Sequence, residues 1–154
     1  MQYFITLFIY LFILGLTSIH TDRTVFRKRQ LDGIELIISN IRNKTGIIRI
    51  GMYNSGKGYP DKPEVSFSLA KDTIVSGKLR LFIQVKEPGS FGFSILDDEN
   101  ENRKMDYILG IIPKEGFGFS NNPRIRGMKE PPFEVTRFIY NGGRIVVTVR
   151  MVYI

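Results

Sequence analysis

The chain of 154 residues contains no cysteine and a single histidine, His20. Without cysteine it can form no disulfide, no thiolate nucleophile and no thiolate-ligated metal site. His20 stands at the end of an apolar N-terminal run that we interpret below as a signal peptide. Removal of that signal peptide would leave no imidazole in the mature chain. Ser-His-Asp and Cys-His catalysis and histidine-ligated zinc are then excluded, and clustered carboxylates are the catalytic groups that remain. We therefore expect a protein that is not an enzyme.

The sequence also lacks helical periodicity, an internal repeat and any low-complexity tract. Hydrophobic residues make up 43% of the chain and charged residues 24%, as in a globular protein. The length suits one domain with a buried core. Basic residues outnumber acidic ones, and the formal net charge of +7 favours solubility and weak attraction to anionic surfaces.

Residues 1–19 are almost wholly apolar. This run is long enough for a signal-peptide core and borderline for a membrane span, so we predict a signal peptide over residues 1–20, with an uncleaved N-terminal anchor as the alternative. Residues 21–33 are polar and basic and are predicted to be a linker. Because only one aromatic residue, Phe26, stands among their charges, we expect no nucleic-acid binding. The protein is expected to be periplasmic or secreted, with membrane attachment only if the N-terminal segment is retained.

From Ile34 onward, hydrophobic residues recur at every second position, which is the period of a β-strand. The predicted strands are residues 34–38, 48–52, 65–69, 79–85, 91–95, 133–140 and 144–153. Turn residues at 43–46 predict a hairpin of the first two strands, and Asn-Gly-Gly at 141–143 predicts a hairpin of the last two. Residues 34–154 are therefore predicted to form an all-β, antiparallel β-sandwich of about seven strands, immunoglobulin-like or transthyretin-like in form.

Residues 97–106, DDENENRKMD, carry acidic or amide side chains at alternate positions. Calcium takes six to eight oxygen ligands, and this spacing follows the first nine places of an EF-hand-type loop. The predicted metal ligands are Asp98, Asn100, Asn102, the backbone carbonyl of Lys104, and Asp106. Arg103 stands where such a loop has glycine, and Leu109 where it has a bidentate glutamate. The alternative is a solvated polar turn whose side chains bond to their own backbone.

A Gly-Phe-Gly-Phe-Ser-Asn-Asn run follows at residues 116–122. It has no Gly-Lys-Ser/Thr and opens no predicted helix, so it is not a phosphate-binding loop. One interpretation is a ligand-binding face in which Phe117 and Phe119 stack on a sugar or peptide, and Asn121 and Asn122 make polar contacts. The alternative is that the rings cover an open end of the sandwich while the asparagines take left-handed turn positions. The expected partner is a cell-envelope protein or glycan.

Together these motifs resemble a known bacterial family. The runs EPGSFGFSILDDEN, NRKMD and GIIPKEGFGFSNN are similar to the pattern of the bacterial domain of unknown function family 2141. That pattern is a Pro-Gly-aromatic turn, a strand, an Asp-Glu-Asn-Gly-Asn-Gly-Lys-Leu-Asp loop and a Gly-Phe-Gly-Phe-Ser-Asn-Asn segment. The resemblance covers roughly residues 34–153 and implies a small exported β-sandwich protein without an established activity. Glu101 and Arg103 replace the glycines of the family loop, which makes a tight metal-binding turn less favoured here.

Overall fold

A computed structural model describes residues 31–125 and 129–154. The predicted signal peptide or anchor at residues 1–20, and the part of the predicted linker at residues 21–30, lie outside the described residues. Among the residues that are described, no helix is both long enough and apolar enough to cross a membrane.

The described part of the chain forms ten strands, one short α-helix and one 3-10 turn. In chain order they are β1 (Gly33–Ser39), β2 (Ile47–Tyr53), β3 (Val65–Ala70), the 3-10 turn (Lys71–Thr73), β4 (Leu79–Gln84), β5 (Gly89–Asp98), β6 (Tyr107–Ile108), β7 (Ile112–Pro113), β8 (Gly116–Phe119), α1 (Phe133–Thr136), β9 (Phe138–Tyr140) and β10 (Arg144–Arg150). The prediction of an all-β protein is confirmed. The immunoglobulin-like or transthyretin-like form stays a prediction.

Two sheets pack face to face around one apolar core. The three-stranded sheet has the order β10-β1-β4, and the five-stranded sheet has the order β3-β2-β5-β8, with β9 also paired to β5. Ile34, Leu36 and Ile38 of β1 meet Ile48 and Ile50 of β2 in this core, and each is at most 1% exposed. Burying a side chain of this size contributes about 1.5–3 kcal/mol. The predicted sandwich is confirmed, although β1 and β10 run parallel where antiparallel pairing was predicted.

Neither predicted hairpin forms. β1 and β2 belong to different sheets, and so do β9 and β10. The segment between β1 and β2 crosses from one sheet to the other, and Ile41 within it is 6% exposed. Each strand has one apolar face, and that face is buried equally well whether consecutive strands pair side by side or face each other across the core. The alternating pattern therefore located the longer strands, while the two hairpins predicted from the turn residues are wrong.

Residues 97–122, which the sequence suggested were mostly loop, contain three short strands. β6 and β7 pair over two residues each, and β8 pairs with β5. Strands of two to four residues offer too few alternate positions to show a period. The sequence therefore predicted about seven strands where the described residues form ten. A strand was predicted at residues 133–140. Its first half is instead the helix α1, which begins after Pro132, and its second half is β9.

Candidate functional site

A groove of about 770 Å³ lies on the outer face of the five-stranded sheet. Its floor consists of small or hydroxyl-bearing residues from three strands, namely Gly51, Ser66, Ser68 and Ser94. Residues 60–63 contribute one part of its lining, and residues 103–107 contribute another. Successive side chains of a strand point to opposite faces of a sheet, so the floor lies on the face opposite the core. A concave surface of this volume is suited to binding a ligand.

Both phenylalanines of the Gly-Phe run line this groove. The strand register places Phe119 opposite Ser94 and Phe117 opposite Leu96 in β5. Phe119 is only 7% exposed, and its ring centroid lies 6.2 Å from that of Tyr59. Phe117 is partly exposed and lies 6.1 Å from Phe119 between ring centroids. Phe117 therefore offers the more accessible ring surface, on the face of the sheet and not over an open end of the sandwich.

The glycines of the same run face the other way. A Cβ atom on Gly118 would lie 2.7 Å from Val149 Cγ1, and one on Gly116 would lie 2.2 Å from the Tyr153 ring. β8 also exchanges two backbone hydrogen bonds with Val152, of 3.0 and 2.8 Å. The alternation of glycine and phenylalanine therefore lets β8 approach the C-terminal end of the chain closely while it turns both rings toward the groove.

Arg49 places a guanidinium in the groove lining. Its Nε atom forms an ion pair with Oδ2 of the fully buried Asp98, and its Nη1 atom donates a hydrogen bond of 3.2 Å to Ser68 Oγ. These two partners hold the guanidinium in one orientation. A guanidinium fixed in this way has further N–H donors for the hydroxyl or carboxylate oxygens of a ligand.

Asp98 also organises the predicted metal-binding segment at residues 97–106, the acidic loop. Its Oδ1 accepts a hydrogen bond of 3.0 Å from the backbone N–H of Asn102, and its Oδ2 accepts one of 3.0 Å from the N–H of Arg103. The carboxylate at the end of β5 thus folds the following loop back on itself, which is the local bonding expected of a polar turn. The same carboxylate holds Arg49, so the loop and the groove depend on one buried group.

Three other predicted metal ligands converge. The Nδ2 atoms of Asn100 and Asn102 both donate to Asp106 Oδ2, over 2.6 and 2.9 Å. Asn102 Oδ1 accepts a hydrogen bond of 3.0 Å from the backbone N–H of Lys104. Across residues 31–125 and 129–154, no three acidic or histidine side chains are grouped to hold a metal ion. The structure therefore brings the Asp106 carboxylate together with the amides of Asn100 and Asn102. Asp98 instead bonds to Arg49 and to backbone N–H groups of the loop.

Glu115 is a site residue that the sequence did not reveal. It is 4% exposed, and its carboxylate accepts hydrogen bonds from the backbone N–H groups of Glu99, over 3.0 Å, and Asp106, over 3.4 Å. Burial raises the pKa of Glu115, while these backbone donors act to lower it. Glu115 ties the two ends of the acidic loop together. A lone glutamate outside the alternating pattern gave no signal of this role.

A second buried polar cluster lies at the end of the core. Lys71 and Asp97 form an ion pair in which both side chains are fully buried. The Tyr153 hydroxyl donates a hydrogen bond of 2.6 Å to Asp97 Oδ2, and Lys71 Nζ donates one of 2.7 Å to the carbonyl of Thr45. Burial raises the pKa of Tyr153, and the hydrogen bond to Asp97 raises it further. These contacts fix β5 to the C-terminus just before the acidic loop begins.

Asn121 and Asn122 have left-handed backbone angles, with φ of 62° and 47°. Asn121 Nδ2 donates a hydrogen bond of 2.7 Å to the Arg137 carbonyl. The Asn122 amide bonds both the carbonyl of Thr148, over 2.8 Å, and the N–H of Arg150, over 2.7 Å. Both side chains hold the end of β8 to neighbouring segments and lie outside the groove lining, whereas both phenylalanine rings lie within it.

A family model described as "Uncharacterized protein conserved in bacteria (DUF2141)" matches residues 36–148. The match includes the strands of the groove floor, the acidic loop and the Gly-Phe run. No curated protein and no solved structure matches the chain.

Proposed function

The chain belongs to DUF2141, the family of uncharacterized proteins conserved in bacteria that its motifs predicted, and we propose that it is a non-catalytic module that binds a glycan in the groove of its five-stranded sheet. The groove is the observation that carries this proposal. It combines a partly exposed aromatic ring at Phe117, a guanidinium held in place at Arg49 and serine hydroxyls on its floor.

A sugar ring has apolar faces and a rim of hydroxyl groups. An aromatic ring can stack on the apolar face, because stacking requires area and not a particular hydrogen-bond pattern. Ser66 and Ser68 are exposed on β3 and can donate to or accept from the hydroxyl rim.

The proposal is tested by glycan-array binding, with calorimetry on any glycan that binds. Phe117→Ala is expected to weaken binding about tenfold. A good aromatic contact contributes up to about 1.5 kcal/mol, and about 1.4 kcal/mol corresponds to a tenfold change in Kd. Ser66→Trp is expected to abolish binding, because this exposed position on the edge strand can take a large ring that fills the groove. The matched control is Phe82→Ala, which removes an exposed ring from the three-stranded sheet.

An array without binding above background would contradict the glycan proposal. Binding that both groove variants leave unchanged would place the ligand elsewhere on the protein. Peptides are included on the array. A peptide whose binding is weakened by the same two variants would support the groove as the binding site and change the proposed ligand from a glycan to a peptide.

We further propose that the acidic loop binds calcium with modest affinity. Support comes from Asn100 and Asn102, whose amides meet at the Asp106 carboxylate. Rotation of each amide would present its carbonyl oxygen where its nitrogen now lies, so that neutral and charged oxygens face one point. A single carboxylate among these ligands implies weak binding, since affinity follows ligand charge.

Calcium titration of chelator-stripped protein tests this second proposal. Saturable binding with a matching rise in melting temperature is expected. Asp106→Ala should remove both effects, while Glu87→Ala, at an exposed acid outside the loop, should leave them intact. An unchanged rise in Asp106→Ala would rule out this loop as the site.

We also propose export to the periplasm or beyond, supported by the apolar run at residues 1–19 and by the family resemblance. The expected partners are glycans or proteins of the cell envelope. N-terminal sequencing of protein recovered from bacterial cell fractions tests this. A shortened periplasmic chain indicates a cleaved signal peptide, and an intact membrane-bound chain indicates an anchor. Recovery from the cytoplasm alone would contradict export.

A further inference from the structure

The buried ion pair of Lys71 and Asp97 occupies two positions that face the apolar core. Asp97 follows Phe93 and Ile95 on the core-facing side of β5, and Lys71 begins the 3-10 turn that directly follows β3. β3 and β5 lie on either side of β2 in the five-stranded sheet, so the pair joins two strands that share no backbone ladder. A buried ion pair rarely stabilises a fold more than apolar residues of similar volume do. Stability alone therefore does not account for this pair.

The groups around the Lys71 nitrogen give each of its three N–H donors a direction. One donates a hydrogen bond of 2.7 Å to the Thr45 carbonyl, and another donates one of 3.1 Å to Asn43 Oδ1. The remaining side of the nitrogen faces Asp97, whose Oδ1 atom lies within ion-pair distance. Loss of one proton would leave the two fixed donors in place and turn the lone pair of the nitrogen toward Asp97.

The two oxygens of the Asp97 carboxylate have different surroundings. Oδ2 accepts a hydrogen bond of 2.6 Å from the Tyr153 hydroxyl. Oδ1 is buried, and no group among the described residues donates an aligned hydrogen bond to it, since Lys71 Nζ meets it as an ion pair only. A donor at one oxygen stabilises the negative charge that develops there when a nucleophile attacks the carbon atom. Oδ1 is then the oxygen that can take up protons and leave.

We propose that Lys71 and Asp97 condense into an intramolecular amide bond between Nζ and Cγ. One proton passes from the ammonium group to Oδ1, and the neutral amine attacks Cγ, so that the charge of the tetrahedral intermediate rests on Oδ2 beside the Tyr153 hydroxyl. Oδ1 takes a second proton from the nitrogen and leaves as water, which breaks the Cγ–Oδ1 bond and completes the amide. Both protons lost by the ammonium leave in that water molecule, and the reaction needs no oxidant or other reactant.

The surroundings of the pair favour this reaction. In water, the hydration of both ions opposes condensation, but these two side chains are fully buried and have lost that hydration. The fold holds the reacting groups in contact, which replaces a bimolecular encounter, and exclusion of water protects the product from hydrolysis. The chain has no cysteine, so this amide would link β3 to β5 covalently where no disulfide can form. The inference does not depend on the proposed glycan or calcium binding.

Mass spectrometry of the purified, denatured protein tests the proposal. The intact mass is expected to be lower than the sequence mass by one water molecule, and protease digestion should release a branched peptide that joins Lys71 to Asp97. The double variant Lys71→Met/Asp97→Leu replaces the ion pair with apolar side chains, so it should fold and show the full sequence mass. Lys78→Met, the same change at an exposed lysine, should keep the loss of water. A full sequence mass for the unaltered protein, without a branched peptide, would overturn the proposal.

Two further variants test the chemistry of the bond. Asp97→Asn should lose ammonia in place of water, because the side-chain amide nitrogen becomes the leaving group; loss of water from this variant would place the link elsewhere in the chain. Tyr153→Phe is expected to slow bond formation about 100-fold, as removal of a donor to the developing charge does. The rate is followed as the fraction of branched peptide at increasing times after cell-free synthesis. Equal rates for Tyr153→Phe and the unaltered protein would overturn the role assigned to the hydroxyl.

Discussion

Two residues of the acidic loop hold backbone conformations that glycine adopts more readily. Glu101 has φ of 61° and Arg103 has φ of 68°, at the two positions where the family loop has glycine. A residue with a Cβ atom in this region is strained by roughly 1–2 kcal/mol. The buried carboxylate of Asp98 holds the turn by accepting the Arg103 N–H. The loop therefore keeps its tight turn despite the two replacements that made such a turn less favoured.

Arg103→Gly is expected to raise the free energy of unfolding by about 1 kcal/mol, because glycine adopts this φ without strain. Urea denaturation measures the change. The matched control is Lys104→Gly, one residue further along at an ordinary φ, which should lower stability by roughly 0.5–1 kcal/mol through the added freedom of the unfolded chain. Equal losses in the two variants would show that strain at position 103 is negligible.

β8 shows how one element serves two surfaces. Its glycines face β10 and the C-terminal segment, while its phenylalanines face the groove. The strand is only four residues long, yet it joins the edge of the five-stranded sheet to Val152 through two backbone hydrogen bonds. A shift of β8 away from the core would therefore move both rings of the proposed glycan site. Stability and ligand binding are linked at this strand.

Gly118→Ala is expected to lower the free energy of unfolding by about 1–3 kcal/mol, because overpacking displaces neighbouring segments. The added Cβ atom would lie 2.7 Å from Val149 Cγ1 and 3.2 Å from the Arg150 carbonyl oxygen. Thermal or urea denaturation gives the measurement. Gly56→Ala is the control, since the nearest atom would be 3.5 Å away and a surface change of this kind stays within about 0.5 kcal/mol. Equal effects in the two would contradict close packing of β8.

At the scale of the whole molecule, buried and half-buried tyrosines link stability to pH. Burial raises the pKa of Tyr59 to about 12, and it raises the pKa of Tyr53 and Tyr153 above their ordinary value. In the unfolded chain these hydroxyls lose their protons near pH 10. Above that pH the folded state binds more protons than the unfolded state, so the stability that is present below about pH 10 is lost as the pH rises.

The melting temperature is therefore expected to fall steadily above about pH 10. Tyr153→Phe should reduce this slope, because its phenol no longer ionises on unfolding. The same variant should be less stable near neutral pH, since Asp97 loses a hydrogen-bond donor. Tyr107→Phe serves as the comparison: Tyr107 is 46% exposed, so its removal should change the slope less. Parallel curves for Tyr153→Phe and the unaltered protein would exclude this linkage.

Most of the longer strands and their inward faces followed from the sequence by itself, whereas the short strands β6, β7 and β8 did not. The alternation of Ile34, Leu36 and Ile38, and the corresponding alternation in β2 and β4, defines an apolar face wherever the strand is placed, because side-chain direction depends only on the backbone of that strand. The family and the all-β class followed from motifs of the same local kind. Such patterns do not require knowledge of which segment lies next to which.

Only the tertiary structure decided the pairing of strands, the burial of Lys71 and the shape of the groove. Arg49 meets Asp98 across 49 positions of the chain, and the groove combines residues 60–63 with residues 103–107 and β8. Contacts over such separations depend on which sheet each strand joins, and either choice buries the same apolar faces. Local patterns are satisfied by both arrangements, so the site that those contacts build appears only when the chain is folded.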